Sequence, residues 1–248
     1  MKRPNFSHLE PGKTVVFLVS GGRDSTAMVL EAYYRGVKGT LLFGDTGLTS
    51  KDARRVVERL RKHTGFPLMV AKYTGEKSPR MIIEESFPMI PLVLEDIKKQ
   101  GHYRKNRFDC CRILKHKPMD SAVGCFEKDD LVQVLGIKGA DGSFARRWRL
   151  SELRNRGTYS RLKADGFLFY YPLRDCSDAD ISQVLYDFGF GKIKSSGCVL
   201  CPVFCIFDGM RKKDPGSWFR SVSLARKLKI PFYFADQTLI RDYCTGVR

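Results

Sequence analysis

Short apolar runs alternate with amphipathic stretches through the first part of the chain. Three runs are rich in Val, Leu and Phe, as buried strands are: residues 14–19, 40–43 and 67–71. The stretches 26–35 and 50–63 between them repeat apolar residues at helical spacing. This alternation predicts an α/β fold, with a doubly wound, mostly parallel sheet and helices on both faces. Ligands of such sheets bind beyond the carboxyl ends of the strands.

The pattern continues less regularly beyond the third strand. The run 131–137 reads as a fourth strand, and 167–173 is a further apolar segment. Helices are predicted at 92–100, from Asp109 onward, and at 178–188. Three stretches are expected to be irregular: a loose lead-in at 1–13, a region punctuated by Pro and Gly at 75–91, and a polar loop at 138–149. We expect one nucleotide-binding domain over 1–210, carrying the cysteine site, and a C-terminal tail segment over 211–248.

The loop after the first predicted strand, residues 20–25, reads S-G-G-R-D-S. It leads into a helix N-terminus, whose unpaired N–H groups and dipole favour an anion. Its glycines leave room for a phosphate against the backbone. Ser20 and Ser25 add hydroxyl donors, and Arg23 adds a fixed charge. A tight turn in an ordinary βα unit is the alternative, but the whole string favours phosphate binding. No Gly-Lys-Ser/Thr follows, so it is not a Walker loop.

The cysteines suggest a second centre, and their interpretation depends on the cellular compartment. No stretch approaches the roughly 20 apolar residues of a membrane span, and no signal-peptide pattern is present, so a cytoplasmic location is expected. Eight cysteines in a reducing compartment point to metal or redox chemistry rather than to disulfides. Cys110 and Cys111 are adjacent, and Cys198 and Cys201 form a C-x-x-C. Four thiolates suit zinc or an iron–sulfur cluster, and an adjacent pair reaches an extended cluster more easily than one small ion. Free thiols are the third alternative.

The remaining cysteines have weaker contexts. Cys205 is either a spare ligand or a packed apolar residue. Cys125 and Cys176 have no motif around them and are expected to be structural. Cys244 lies near the C-terminus between Arg241 and Arg248, which would favour its thiolate. The alternative for Cys244 is an incidental thiol in a frayed terminus.

Charge indicates an acidic partner. The formal net charge is +17 at pH 7. Such a field attracts a nucleotide, a nucleic acid or an acidic protein, and basic runs lie at 104–107 and 146–149. The alternative is a basic, solvated surface that has no specific partner, because such a surface would give the same net charge.

These motifs resemble a known superfamily. S-G-G-R-D-S resembles the PP-loop of the N-type ATP pyrophosphatases, or adenine nucleotide alpha hydrolases, which include tRNA thiolation enzymes and phosphoadenosine phosphosulfate (PAPS) reductases. The cysteines resemble the iron–sulfur branch of the PAPS/APS reductase family, in which Cys-Cys is followed, after a long gap, by C-x-x-C. Further segments match that family: Arg112 and Lys115 after the cysteine pair, Asp45-Thr46-Gly47, Gly136-Ile137-Lys138 with Ser143 and Arg146, and Pro172-Leu173 with Asp180.

The resemblance implies a HUP-type fold and a set of site residues. It implies an adenine nucleotide, ATP or APS/PAPS, with Mg²⁺, held by Ser20, Gly21, Gly22, Arg23, Asp24, Ser25, Asp45, Thr46, Gly47, Lys138, Ser143 and Arg146. It implies a [4Fe–4S] cluster, with zinc as the rival, on Cys110, Cys111, Cys198 and Cys201. Catalytic roles would fall to Arg23, Lys115 and Cys244.

Two departures from the reductases bear on the reaction. Their PP-loop is altered from S-G-G-x-D-S, whereas here it is intact, which favours ATP cleaved between the α and β phosphates. Their nucleophilic cysteine lies in an E-C-G-L-H tail, whereas Cys244 lacks that context. The leading hypothesis is therefore an ATP-using sulfurtransferase that uses its cluster, with tRNA or DNA as an acceptor suggested by the basic charge.

Two other hypotheses stand beside it. One is an oxidoreductase that converts PAPS or APS to sulfite, with Cys244 as nucleophile and a thioredoxin-like reductant. The other is a non-catalytic nucleotide- or nucleic-acid-binding subunit. A sulfur donor protein is a further partner of the leading hypothesis, and an oligomer is compatible with all three.

Overall fold

The structure is a computed structural model, which describes residues 2–90, 92, 108–138, 144–162, 166–193, 198–202 and 215–229. The predicted helix at 92–100 (apart from residue 92) and the basic run 104–107 lie outside the described residues, as do Ser143, Cys205 and Cys244. Arg146 lies in a described helix, but its side chain is not among the described ones.

Strands and helices alternate through the first 72 residues. The strands are β1 (Thr14–Val19), β2 (Thr40–Asp45), β3 (Leu68–Lys72), β4 (Leu131–Leu135), β5 (Ser160–Leu162) and β6 (Leu168–Tyr170). The helices are α1 (Arg23–Tyr34), α2 (Lys51–Thr64), α3 (Pro79–Ser86), α4 (Asp109–Cys111), α5 (Lys117–Val123), α6 (Phe144–Asn155), α7 (Asp178–Asp187) and α8 (Pro215–Lys227). A 3₁₀ turn at Phe87–Met89 follows α3, and a π-helical turn at Arg112–His116 joins α4 to α5.

Six strands form one sheet in the order β3-β2-β1-β4-β6-β5. β1 is parallel to both β2 and β4, and β4 is parallel to β6. Phe17 in β1 pairs with Leu41 on one side and Val134 on the other. Only β5, at the edge, is shown to run antiparallel to its neighbour among the described strands. The predicted mostly parallel sheet is confirmed.

Both faces of β1 are buried, as the central strand of a doubly wound sheet requires. Phe17 and Val19 point into a cluster with residues of α1, α2 and α7. Val16 points to the opposite face, into a cluster that includes Val123 of α5. Leu18, on that same face, also packs with Leu150 of α6. Helices therefore cover both faces, and the predicted fold class is confirmed.

The chain folds into two compact units. The first comprises Met1–Gly44, Lys51–Ala71 and Met119–Ser196, which include most of the sheet. The second comprises Asp45–Ser50, Lys72–Pro118 and Gly197–Arg248. Its apolar cluster combines residues of α3 and the turn after it, of α4 and the π-helical turn, and of α8. The limits 1–210 and 211–248 drawn from the sequence stay a prediction.

The N-terminal segment is not loose, contrary to the prediction for residues 1–13. Phe6 is buried and stacks on Tyr170, with ring centroids 6.2 Å apart. The Asn5 amide donates to the Pro172 carbonyl at 2.9 Å, and the Lys2 amide donates to Asp180 Oδ1 at 2.7 Å. This segment therefore belongs to the core of the first unit.

Other elements also differ from the sequence prediction. α3 lies within the stretch 75–91, expected to be irregular; Ser78 caps it and Pro79 occupies its first turn. α6 begins at Phe144, inside the predicted polar loop 138–149. α8 lies in the predicted tail. No helix in the described part of the chain is long and apolar enough to cross a membrane.

Candidate functional site

The S-G-G-R-D-S loop joins the carboxyl end of β1 to the start of α1. α1 begins at Arg23, and among the described residues no side chain caps its N-terminus at Gly22. Gly21 has a φ of 71°, and a Cβ there would come within 2.3 Å of the Ala53 carbonyl oxygen. Glycine is therefore required at position 21 both by conformation and by the close approach of α2. The N-terminus of α1 is left to its own N–H groups, which suits an anion.

Hydroxyl groups close the loop on itself. The Ser20 amide donates to Ser25 Oγ at 3.3 Å, and Ser25 Oγ donates to the Gly22 carbonyl at 3.2 Å. Ser20 Oγ and Ser25 Oγ lie 3.3 Å apart, and Thr26 Oγ1 donates to the Gly22 carbonyl at 2.8 Å. These short-range bonds connect the two ends of the loop and constrain its backbone.

Charged side chains from two other segments reach the loop. Lys138, which follows β4, donates to Asp24 Oδ2 at 2.7 Å and lies 3.2 Å from Asp178 Oδ1. Burial alone would lower the pKa of Lys138, but the hydrogen bonds and charges of Asp24 and Asp178 outweigh it and raise the pKa. Lys138 therefore carries its proton throughout the neutral range. Arg23 Nη2 donates to the Asp178 carbonyl at 3.0 Å and to Asp178 Oδ1 at 3.1 Å.

Two buried polar atoms of this group have no hydrogen-bond partner in the described structure: Asp24 Oδ1 and Arg23 Nε. Buried polar atoms are normally paired, because leaving one unpaired costs free energy. One acceptor and one donor thus remain available at the start of α1. They can pair with a ligand that offers both a hydrogen-bond acceptor and a hydrogen-bond donor.

Gly136 lets the segment after β4 approach this loop. A Cβ at Gly136 would lie 2.8 Å from both the amide nitrogen and the Cα of Ser25. The G-I-K segment predicted from sequence to contact phosphates therefore lies against the loop, with Lys138 at its end.

In the second unit, the paired cysteines lie at the start of α4. Cys110 is buried, and its amide donates to Ser86 Oγ at 3.2 Å. Cys198 pairs with Thr49 in an isolated bridge, and the Val199 amide donates to the Leu48 carbonyl at 3.0 Å. The Cys201 amide donates to the Cys198 carbonyl at 3.2 Å, which closes the C-x-x-C turn.

Electrostatic interactions connect the four thiols. The pKa of Cys110 is raised, first by a hydrogen bond with Cys111, then by burial, with a contribution from Cys201. The pKa of Cys198 is raised by burial and by Cys111, although Thr46 and Lys115 act against this. The structure thus brings the two predicted pairs into one neighbourhood, in an apolar cluster that includes Cys110, Cys111 and Cys198.

This donor set fits a thiolate-bound centre in its chemistry. Soft thiolates in an apolar setting are what zinc and iron–sulfur centres require. Within the described residues, no three His, Cys, Asp or Glu side chains converge closely enough to be recognised as a metal site. The ligand assignment stays a prediction.

The D-T-G segment lies in the same unit as the thiols. Thr46 Oγ1 is 3.1 Å from Cys198 Sγ, and the Gly47 amide donates to Asp45 Oδ1 at 3.0 Å. Gly47 has a φ of 77°, and a Cβ there would lie 2.7 Å from Pro79 Cγ. Thr46 therefore contacts a predicted metal ligand, a role that the sequence did not indicate for it.

Sequence reasoning missed three residues of these sites. Asp178 forms ion pairs with both cations at the S-G-G-R-D-S loop, yet the sequence indicates only the first turn of a helix there. Ser86 and Thr49 contact the cysteine segments, and nothing in their local sequence marks them. Only the tertiary structure brings these residues to the candidate sites.

No model of a protein family and no curated protein matches this chain. Among solved structures, it is similar to PAPS reductase from Candida auris in a phosphate complex (14% identity, TM-score 0.46, 75% of this chain and 82% of that one). It is similar to the U34-tRNA thiolase NcsA from Methanococcus maripaludis with its [4Fe-4S] cluster (15% identity, TM-score 0.48, 92% and 76%). A third similar structure is a predicted subunit of tRNA methyltransferase from Methanocaldococcus jannaschii (15% identity, TM-score 0.37, 72% and 89%).

At these identities and TM-scores, the similarities assign this chain neither a reaction nor a ligand. The fold is instead established by features observed in this chain itself. These are the sheet order, the coverage of both sheet faces and the position of the loop after β1. By these features the chain has the doubly wound fold that its resemblance to the PAPS-reductase-like PP-loop superfamily implied.

Proposed function

We propose that this chain is a PP-loop enzyme of sulfur metabolism that binds ATP, cleaves it between the α and β phosphates, and transfers sulfur with the help of a [4Fe–4S] cluster. The observation that carries the proposal is the intact S-G-G-R-D-S loop. Its α1 N-terminus has no side-chain cap among the described residues, Lys138 lies against it, and Asp24 Oδ1 and Arg23 Nε are buried and unpaired there.

In the proposed reaction, the loop binds the phosphates of ATP through backbone N–H groups and the hydroxyls of Ser20 and Ser25. An oxygen of the acceptor attacks the α-phosphorus; the new O–P bond forms as the bond to the bridging oxygen breaks, and pyrophosphate leaves. A sulfur nucleophile then displaces AMP from the acceptor. Protonated Lys138 would stabilise the negative charge that develops on the phosphates.

Cys110, Cys111, Cys198 and Cys201 would hold the cluster. Once bound, it would supply an iron-rich site at which sulfur can be held. The hydroxyl of Thr46, 3.1 Å from Cys198 Sγ, would donate a hydrogen bond to that thiolate.

Two measurements on anaerobically purified protein test the proposal. Iron and acid-labile sulfide analysis should give about four of each per chain. Cys110→Ser and Cys198→Ser should lose most of the iron, while the control Cys125→Ser, at an exposed cysteine, should keep it. If the protein instead contains stoichiometric zinc and no acid-labile sulfide, the cluster is refuted and a zinc site takes its place in the proposal.

The nucleotide half is tested separately. Ser25→Ala removes a hydroxyl of the loop, and Asp24→Ala removes the buried acceptor Oδ1 and the carboxylate that orients Lys138. Each should weaken ATP binding at least about tenfold, a loss of about 1.4 kcal/mol. Asp120→Asn, at an exposed position of α5, is the control. Unchanged ATP affinity in both loop variants would refute the phosphate site.

The reductase hypothesis rests on Cys244 and remains a rival. We predict that Cys244→Ser keeps ATP-dependent pyrophosphate release, because the acceptor or a sulfide supplies the nucleophile. The wild type should make little sulfite from APS or PAPS with thioredoxin. Abundant sulfite that vanishes in Cys244→Ser would establish the reductase instead.

A further inference from the structure

Asp178 is, after Lys138, the second charged side chain that reaches the phosphate loop from another segment, and neither the motif nor the resemblance includes it. It lies in the first turn of α7, in the same compact unit as the loop. Its Oδ1 is 3.1 Å from Arg23 Nη2 and 3.2 Å from Lys138 Nζ. One carboxylate oxygen thus bridges both cations.

The charges of this group cancel. Arg23 and Lys138 contribute two positive charges, and Asp24 and Asp178 contribute two negative ones. A polyphosphate that approaches the loop therefore meets cations already neutralised by carboxylates. Asp24 is part of the loop itself, with a 2.7 Å bond to Lys138, whereas Asp178 comes from another helix.

The two carboxylates also differ in their exposure to solvent. The side chain of Asp178 is 63% exposed, against 24% for Asp24. The bonds of Asp178 to the cations are also longer than the Asp24–Lys138 bond. The Asp178 carboxylate can therefore turn into solvent at little cost, while Asp24 cannot. At the N-terminus of α7 it is favoured by the helix dipole whether or not it bonds to the cations.

From these contacts we infer that Asp178 is an internal counter-anion of the phosphate loop, which holds Arg23 and Lys138 without ligand and yields them to a bound polyphosphate. It stands in for a phosphate oxygen, keeps both cations ordered, and lowers the affinity of the loop for anions. The inference rests on the proposed function only in taking the loop as a polyphosphate site.

The test compares binding of inorganic pyrophosphate by calorimetry in the wild type, Asp178→Asn and Asp178→Glu. The matched control is Asp187→Asn, which removes one negative charge from the other end of the same helix, where Asp187 pairs with Arg3. Asp178→Asn should bind pyrophosphate about two- to fivefold more tightly, as expected when a partly exposed ion pair ceases to compete. Asp178→Glu should stay near the wild type, and raised salt should reduce the difference.

Each outcome bears on the inference. Unchanged or weaker binding in Asp178→Asn overturns it, as does equal tightening in Asp187→Asn, which would show an effect of net charge alone. Thermal unfolding confirms that the variants are folded. If ATP-dependent pyrophosphate release works but Asp178→Asn binds pyrophosphate no more tightly, the inference fails and the proposed function stands. If Asp178→Asn tightens pyrophosphate binding but ATP is not cleaved, the inference stands and the proposed function fails. If no protein binds pyrophosphate, both fail.

Discussion

Cys176 and Cys125 have the same side chain in opposite surroundings. Cys176 is buried, and burial, followed by the nearby carboxylates of Asp180 and Asp175, raises its pKa to about 12. Cys125 is exposed. Because the thiolate is the reactive form, iodoacetamide at pH 8 should alkylate Cys125 at least about tenfold faster than Cys176 in the native protein. Peptide mass spectrometry measures both rates, and unfolding in urea should abolish the difference. Fast native labelling of Cys176 would contradict its buried position.

Asp175 makes stability depend on pH. Burial would raise its pKa, but hydrogen bonds from Arg174, Arg154 and Tyr159 outweigh it, and the pKa lies well below its ordinary value. A carboxyl group whose pKa is lowered in the folded state stabilises the protein fully at pH values above its unfolded pKa, about 3.8 here. This stabilisation is lost as the pH falls from that value through the folded-state pKa. Asp175→Asn should therefore cost about 1.5–3 kcal/mol at pH 7, with a smaller difference at pH 3.

Urea unfolding at several pH values measures this difference. Asp120→Asn removes an exposed carboxylate and serves as the control. A cost for Asp175→Asn that is the same at pH 3 and pH 7 would show that the carboxylate charge is not what stabilises the fold.

At the residue scale, sequence reasoning proposed residues that lie within local motifs. The S-G-G-R-D-S loop and the two cysteine pairs are short contiguous strings, so a candidate chemistry could be assigned to each from the sequence, and these assignments stay predictions. Asp178 could not be found this way, since its partners Arg23 and Lys138 are distant in sequence and a helix start explains it equally well. Side chains that act across elements carry no local signal.

Among the elements, the contact of α2 with the S-G-G-R-D-S loop depends on a glycine. Gly21→Ala combines an unfavourable φ with a clash against the Ala53 carbonyl, 2.3 Å from the added Cβ. Gly36 has nearly the same φ, 73°, but a Cβ there meets nothing within 4 Å. Both substitutions should cost about 1–2 kcal/mol from backbone conformation, and Gly21→Ala should cost more. Only Gly21→Ala should also weaken pyrophosphate binding, by about tenfold or more. Equal effects of the two variants on binding would show that the close approach of α2 is not needed.

Elements were predicted well where one signal dominated. β1 is a buried β-branched run followed by glycines, and the structure confirms its limits of 14–19. α3 was missed because Pro79 was taken as a sign of irregular structure, although Ser before Pro is a helix start. β5 is only three residues long, and its antiparallel pairing with β6 has no counterpart in the local pattern.

At the scale of the whole molecule, the net charge of +17 predicts an interaction with nucleic acid. If ion pairs with phosphates dominate, affinity for tRNA or DNA should fall steeply with salt. Replacing Arg104, Lys105 and Arg107 with Ala should weaken binding and reduce the slope of log K against log salt by about one for each phosphate ion pair removed. Gel retardation across a salt series measures both quantities.

A matched control separates a binding surface from overall charge. Replacing Arg55, Arg61 and Lys62, exposed on α2, removes the same three charges from a described helix. If net charge alone attracts nucleic acid, the two triple variants should lose affinity equally, because the long-range field falls by the same amount in both. If the run at 104–107 binds phosphates, its variant should lose more affinity and more of the salt slope. No retardation of tRNA or DNA by the wild type at low salt would remove this class of partner and favour a small-molecule substrate.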